Sequence, residues 1–161
     1  MYGLGLWDDV FAAVRKDYAD VESGSLLVDA AAMDFVRKPE SFDVVVASNL
    51  FGDILTDLSA AVTGSIGLAS SANINPTKQF PSMFEPVHGS APDIAGKGIA
   101  NPLAAVLSAA LMLDHLGLVK SADAVRAAVS KVLAAGAVKT PDLGGTSTTT
   151  QMGDAVVEAI R

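Results

Sequence analysis

The sequence holds no cysteine in its 161 residues. Disulfides, thiolate metal sites, iron–sulfur clusters and a cysteine nucleophile are therefore all excluded. Histidine is nearly as scarce. His88 and His115 are the two present, and their wide separation leaves little room for a histidine-rich metal site. Basic residues are also few: eleven Lys and Arg stand against eighteen Asp and Glu, for a formal charge of −7. A protein that tracks a phosphate backbone carries a positive footprint instead, so no nucleic-acid partner is expected. No stretch of about 18 uninterrupted apolar residues occurs, as a membrane-spanning helix would need. Residues 1–9 lack the basic region of a secretory signal. The expectation is a cytoplasmic protein with no membrane partner.

What is abundant is apolar surface. Hydrophobic residues make up 50% of the chain and charged ones 18%, which excludes a disordered or fibrous protein. The length suits one domain of roughly 100–200 residues. The apolar share exceeds what a lone small domain needs, and such a surplus points to contact surfaces with another chain. There are no internal repeats and no low-complexity segments.

Periodicity predicts alternating strands and helices. Leu6, Val10, Phe11, Val14 and Tyr18 recur at helical spacing, with Asp8 and Asp9 expected in the first turn and Arg15 and Lys16 near the end. Residues 25–28 (SLLV) read as a buried strand, and a helix over 30–37 follows, stopping before Pro39. Residues 42–47 (FDVVVA) are the plainest strand, since three successive valines suit a parallel sheet covered on both faces. Residues 48–53 form a loop that turns into a helix running through Asp57 towards Val62. Residues 64–67 (GSIG) break the pattern and place a domain boundary at Gly64. Residues 69–81 read as a polar loop, 83–87 as an extended piece and 88–102 as a long glycine-rich loop. Asn101 and Pro102 are expected as N-cap and first helical residue of a helix that Gly117 closes. Ser121 is expected to cap the next helix, with Val125, Val129, Val132 and Leu133 on its apolar side. A loop over 141–149 leads to a last helix over 150–160. Met33, Met83, Met112 and Met152 read as core filler. The β-α-β-α order of the first 65 residues predicts an α/β fold with right-handed parallel crossovers. Two or three strands are too few for a complete doubly wound sheet.

Three aspartates share a logic. Asp29 follows one predicted strand, Asp53 lies just past the end of the next, and Asp57 sits one helical turn beyond Asp53. Ligands of open α/β sheets gather outside the carboxyl ends of strands. Like charges four apart on a helix repel mildly unless neutralised, and an all-carboxylate set suits Mg²⁺ or Mn²⁺ better than zinc. The plainer alternative is that Asp29 and Asp53 start helices and Asp57 faces water. The loop of residues 88–101 is the second candidate. Its glycines let backbone approach a ligand closely and the helix after it offers free N–H groups, while Asp93 could accept from ribose hydroxyls. It is neither a G-x-G-x-x-G turn nor a P-loop, and a long surface loop with His88 bonded into its base explains it equally well. Lys97 reads as solvated, and His115, late in a helix, as structural.

At these same residues the sequence resembles the β-decarboxylating dehydrogenases, the family of 3-isopropylmalate, isocitrate and tartrate/D-malate dehydrogenases. The matching stretches are LLVDAAAMDFVRKPESFDVVVASNLFGDILTD and FEPVHGSAPDIAGKGIANPLAAVLSAALMLDHLG, with PDLGG and GDAV further on. ASNLFGDIL and NINPTKQFPSMFEPVHG are most similar to the tartrate/D-malate branch, with the isopropylmalate enzymes the near alternative. The resemblance implies an isopropylmalate-dehydrogenase-like parallel or mixed sheet with flanking helices, of which this chain matches the C-terminal half. Residues 1–64 would then belong to a substrate, metal and dimerisation domain, and residues 65–161 to the C-terminal part of a dinucleotide-binding domain. Asp29, Asp53 and Asp57 would be metal carboxylates, with Asp29 reaching the site of a partner subunit in a homodimer. Glu85, His88, Gly89, Ser90, Ala91, Asp93 and Asn101 would line the dinucleotide site. Asp93 stands where NADP-preferring relatives carry Lys, so NAD is favoured, because a carboxylate repels a 2′-phosphate.

The activity implied is NAD-dependent oxidation and decarboxylation of a 2-hydroxy dicarboxylic acid, with Mg²⁺ or Mn²⁺ as Lewis acid and template. The family's substrate-binding arginines, proton-transferring tyrosine and catalytic lysine lie upstream of the matched region. Tyr2 and Tyr18 do not stand in the tyrosine's motif, and no catalytic residue is assigned within these 161 residues. Losing one proton-transfer group typically costs ~10²–10⁴-fold, so the chain alone is expected to be inactive. A non-catalytic truncated piece, or one subunit of a split enzyme completed by an N-terminal half, is the alternative reading.

Overall fold

The computed structural model describes residues 2–161. Three helices come first: α1 (Tyr2–Val14), α2 (Val28–Arg37) and α3 (Asn49–Thr63). A two-stranded antiparallel hairpin follows, β1 (Ser70–Asn73) with β2 (Met83–Pro86), in the register Ser70 opposite Pro86 and Asn73 opposite Met83. The Val87 N–H donates to the Ala69 carbonyl at 3.0 Å and carries the pairing one step further. Three helices close the chain: α4 (Leu103–His115), α5 (Val119–Ala135) and α6 (Thr149–Ile160). Short 3₁₀ turns at Arg15–Asp17, Pro39–Ser41, Ile66–Leu68 and Pro141–Leu143 link these elements.

The core lies in the α4–α5–α6 bundle. Leu103, Ala128, Val129, Val132, Met152 and Val156 are buried together, with Leu68, Val106, Leu107 and Leu143 packed around them. Ala104, Ala110 and Ala122 are fully buried, and their small side chains let helical backbones approach. Arg126 of α5 bonds Asp114 of α4 and, within its own helix, Asp123. The end of α4 is fixed by backbone chemistry. Gly117 takes φ 80°, the Leu118 N–H donates to the Leu113 carbonyl at 2.8 Å, and the Gly117 N–H donates to Asp114 at 2.9 Å. Those two bonds form a Schellman motif, for which glycine is favoured because it meets no Cβ penalty at positive φ. At the start of α6, Thr148 and Gln151 form a reciprocal capping box, so two otherwise orphaned N–H groups are satisfied.

The helices fall close to where periodicity puts them, but the strands do not. Residues 25–28 and 42–47, both expected as strands, join no sheet among the described residues: 25–27 are irregular, Val28 already begins α2, and 42–47 are irregular with a bend at Asp43. Residues 43–47 exchange no backbone hydrogen bond with the other described residues. Val44 and Val46 are 86% and 78% exposed. A strand is defined by a neighbour that takes its N–H and C=O groups, and these segments have none among the described residues. The expected parallel crossovers are therefore not formed, and the sheet present is the antiparallel hairpin. Its first strand falls in what the sequence suggests is a polar loop, because SSAN carries no apolar run to betray it. Smaller corrections follow the same local logic. Helix α1 begins at Tyr2, which moves Asp8 and Asp9 to its middle. Helix α3 begins at Asn49 and takes in Asp53. Ser121 lies inside the first turn of α5 rather than capping it, and Pro102 sits just before α4. Met152 is fully buried, but Met33, Met83 and Met112 are exposed, so one of the four methionines fills the core.

This distribution predicts a sharp contrast in urea unfolding followed by far-ultraviolet circular dichroism. Leu103→Ala should lose about 2–5 kcal/mol, the range for deleting a fully buried leucine side chain. Val44→Ala should change stability by less than about 0.5 kcal/mol, as for an exposed residue.

Candidate functional site

The loop of residues 88–101 leaves β2 and enters α4 without regular structure. The Ile94 N–H donates to the Ala91 carbonyl at 3.1 Å and the Lys97 N–H to the Ile94 carbonyl at 3.1 Å, so the chain folds back in two successive turns. Ala91 takes φ 43°, while Gly96 and Gly98 take 76° and 64°. Glycine meets such angles freely, but an alanine in the left-handed region carries strain. Strained backbone of this kind concentrates at ligand sites. Gly89, Ser90, Ala91 and Asp93 are exposed and His88 is half-buried. His88 Nδ1 lies 3.0 Å from the Gly89 carbonyl, which accepts its N–H. Glu85 is exposed on β2, opposite Ser71.

Asn101 differs from the rest of this set. It is 8% exposed, and both ends of its amide are engaged. Oδ1 accepts from the Leu103 N–H at 3.0 Å, and Nδ2 donates to Asp142 Oδ2 at 2.9 Å. The capping role expected of Asn101 is thus present, although Pro102 intervenes before α4. The same carboxylate oxygen accepts from the Ser65 hydroxyl at 2.5 Å, and Ser65 Oγ accepts from the Gly67 N–H at 2.9 Å. A side chain at Gly67 has no room: its Cβ would stand 2.8 Å from both Asn101 Cβ and Asp142 Oδ2. Thr149 straps the adjoining backbone, its N–H donating to Gly98 at 2.9 Å and its hydroxyl to Ala100 at 2.6 Å. Ser65, Gly67, Asp142 and Thr149 are the site residues that sequence reasoning misses. Their signal is faint because the partners lie 41 and 77 positions apart for Asp142.

Burial opposes charge on the Asp142 carboxyl, yet hydrogen bonds led by Ser65, with Asn101 contributing, outweigh it and hold the group below its ordinary range. A depressed folded value means the carboxylate contributes stability in full above the unfolded value of about 3.9, and loses it as pH falls through the folded value. Wild type should therefore exceed Asp142→Asn by about 1 kcal/mol at pH 6, discounted for partial solvent screening. Urea titrations at descending pH should show that gap closing below about pH 4.

Asp53 and Asp57 stand one turn apart on α3, both exposed. Asp53 Oδ2 accepts from Asn49 Nδ2 at 3.4 Å. Asp29 is exposed in the first turn of α2, where its carboxylate accepts from the Ala30 N–H at 2.8 Å. Among the described residues no three His, Cys, Asp or Glu side chains gather to hold a metal ion. The α3 pair offers hard oxygen donors of the kind a divalent cation takes, and Asp29 forms no cluster with it among the described residues.

A separate groove of about 530 Å³ opens between the hairpin loop and the end of α4, lined by Lys78, Phe80, Phe84, Met112 and Leu116. His115 lies at its base. Its Nε2 is 3.3 Å from Ser82 Oγ, its carbonyl accepts from Lys78 Nζ at 3.3 Å, and its ring packs on Phe84 at 5.5 Å. His115 is structural, as expected, and what it does is fasten the hairpin to α4.

Residues 1–156 match the family described as isocitrate/isopropylmalate dehydrogenase. A probable tartrate dehydrogenase/decarboxylase of Bacillus subtilis is 51% identical over 160 residues, covering 99% of this chain and 45% of that protein. A 3-isopropylmalate dehydrogenase of Thermobifida fusca is 54% identical over 159 residues, covering 99% and 44%. The crystal structure of isocitrate dehydrogenase from Methylococcus capsulatus superposes with a TM-score of 0.92 at 45% identity, covering 98% of this chain and 46% of that one. The chain spans less than half the length of the relatives it matches. Its helices, hairpin and glycine-rich loop are those of this fold, and the chain belongs to the isocitrate/isopropylmalate dehydrogenase family.

Proposed function

We propose that these residues form the dinucleotide-binding and metal-binding portion of an oxidative decarboxylating dehydrogenase that takes NAD and a 2-hydroxy dicarboxylic acid such as tartrate or D-malate. The observation that carries this reading is the loop of residues 88–98. It is exposed, turned back on itself and strained at Ala91, and its far end is fixed at Gly98, Ala100 and Asn101. Backbone groups held in this way can meet a nucleotide without reorganising. Asp93 accepts from the ribose hydroxyls and repels a 2′-phosphate, which selects NAD over NADP. His88, half-buried at the start of the loop, belongs to the same set.

Asp53 and Asp57 would hold a divalent cation, with the third carboxylate, Asp29, arriving from a second copy of the chain in a homodimer. Such an ion supplies positive charge beside the substrate hydroxyl and carboxylate. The α3 carboxylates position it and keep its charge partly neutralised. The tartrate/D-malate assignment rests on the segment NINPTKQFPSMFEPVHG, whose hairpin docks on α4. The 3-isopropylmalate reading is the second one, favoured by the 54% identity of the Thermobifida fusca relative. The substrate arginines, tyrosine and lysine implied by the resemblance are not supplied here, so turnover needs an N-terminal half.

Two outcomes test this. Calorimetric titration should give NADH a Kd at least about tenfold lower than NADPH, with Asp93→Lys narrowing that gap, since a phosphate–carboxylate clash is worth more than about 1.4 kcal/mol. The chain alone should form no NADH from tartrate, D-malate or isopropylmalate with Mn²⁺. Mixed with the N-terminal portion of the Bacillus subtilis relative it should do so, and Asp53→Asn should abolish the rate. Turnover by the unmixed chain would contradict the proposal.

A further inference from the structure

We propose that Asp142 is a positioning residue for the nucleotide loop. Through Asn101 it pins the C-terminal end of that loop to the turn at Ser65–Gly67, so the affinity of the loop depends on a side chain that does not touch the ligand. The inference rests on reading residues 88–98 as the dinucleotide seat. It is carried by four observations. Asn101 Nδ2 and Ser65 Oγ converge on one oxygen of Asp142, at 2.9 and 2.5 Å. The Asn101 side chain is almost wholly buried and its other end is occupied by the Leu103 N–H, so it acts by holding backbone rather than by reaching into solvent. Gly67 admits the convergence only because it has no Cβ. Among the described residues the loop's outer part, residues 88–93, makes no hydrogen bond to any other element, the anchoring bonds falling at Gly98, Ala100 and Asn101.

The geometry is directional, and this makes it testable. Asn101 must donate to Asp142 while still accepting from Leu103. Asn101→Asp keeps the acceptor for the Leu103 N–H, removes the donor and sets two carboxylates face to face. The reciprocal change Asp142→Asn restores a donor–acceptor pair with its direction reversed, the new amide nitrogen donating to position 101 and to Ser65 Oγ in place of the oxygen that both had shared. Removal of a charge-assisted hydrogen bond should therefore appear as about a tenfold rise in the NADH Kd for Asn101→Asp, with faster amide hydrogen exchange at residues 96–101. Asn101→Asp/Asp142→Asn should return both readouts to within about threefold of wild type, the sign of a direct pairwise coupling. Exchange within α5 (Val119–Ala135) serves as the internal reference and should stay constant, which separates a local pin from a general loss of fold.

If the double variant binds NADH as weakly as Asn101→Asp, Asn101 contacts the nucleotide itself and the inference is overturned. If Asn101→Asp leaves exchange at 96–101 unchanged, the pin does not exist. If the exchange pattern breaks and recovers as described but wild type takes no NADH, the pin stands and the cofactor reading of the loop falls. Should Asn101→Asp unfold, Ser65→Ala removes one of the two donors and should give a smaller shift in the same direction; no shift at all would count against the pin.

Discussion

The meeting of Ser65, Asn101 and Asp142 over a bare glycine sets the arrangement of the candidate site. Gly67 leaves the space, Ser65 and Asn101 bring the donors, and Asp142 brings the acceptor that both share. Three stretches distant in sequence are fastened there: the turn after α3, the entry to α4, and the 3₁₀ turn before α6. Because the α4–α5–α6 bundle is densely packed around Leu103, Val129 and Met152, it offers a stiff base for the pin. The loop of residues 88–98 then hangs between two fixed points, the hairpin end at Val87 and the strapped backbone at Gly98. A rigid frame bearing a short, irregular, exposed segment is the usual physical form of a binding loop.

Apolar surface is divided unevenly along the chain. Among the described residues up to Gly64, Ala31, Leu55 and Ala60 are the buried hydrophobic ones, while Leu6, Val10, Leu27, Val44, Val46 and Leu50 are each more than half exposed. Residues 65–161 hold the rest of the core. Exposed large hydrophobics are denser over residues 5–64 than over 65–161, where Ile74, Phe80, Leu116, Leu118, Val119 and Val157 are also more than half exposed. The relatives that this chain matches are more than twice its length.

Legibility in the sequence followed the range of the interactions. Helices were readable because a 3.6-residue period and a cap are local. The GSIG break after α3, the glycine after α4 and the start of α6 all fall within one or two residues of their expected places. FDVVVA misled because a run of valines reports a buried strand only if neighbouring strands exist. SSAN carries no strand signal for the opposite reason, since its pairing with β2 is backbone chemistry on polar residues. Of the site, the glycine loop and the Asp53–Asp57 spacing were visible as local patterns. Asp142 and Thr149 were not, because nothing near them in sequence reveals that they hold residues 98–101. Asp29 illustrates the remaining gap: within the chain its carboxylate accepts from the adjacent Ala30 N–H in the first turn of α2, and it joins no carboxylate cluster among the described residues.

The most direct test is a backbone amide chemical-shift titration of the 161-residue chain with NADH. The account predicts that the largest shifts fall at residues 88–98, with smaller ones at Ser65 and Asp142 as the pinned end responds. Shifts concentrated instead in the groove between Lys78 and Leu116, with residues 88–98 unmoved, would contradict it.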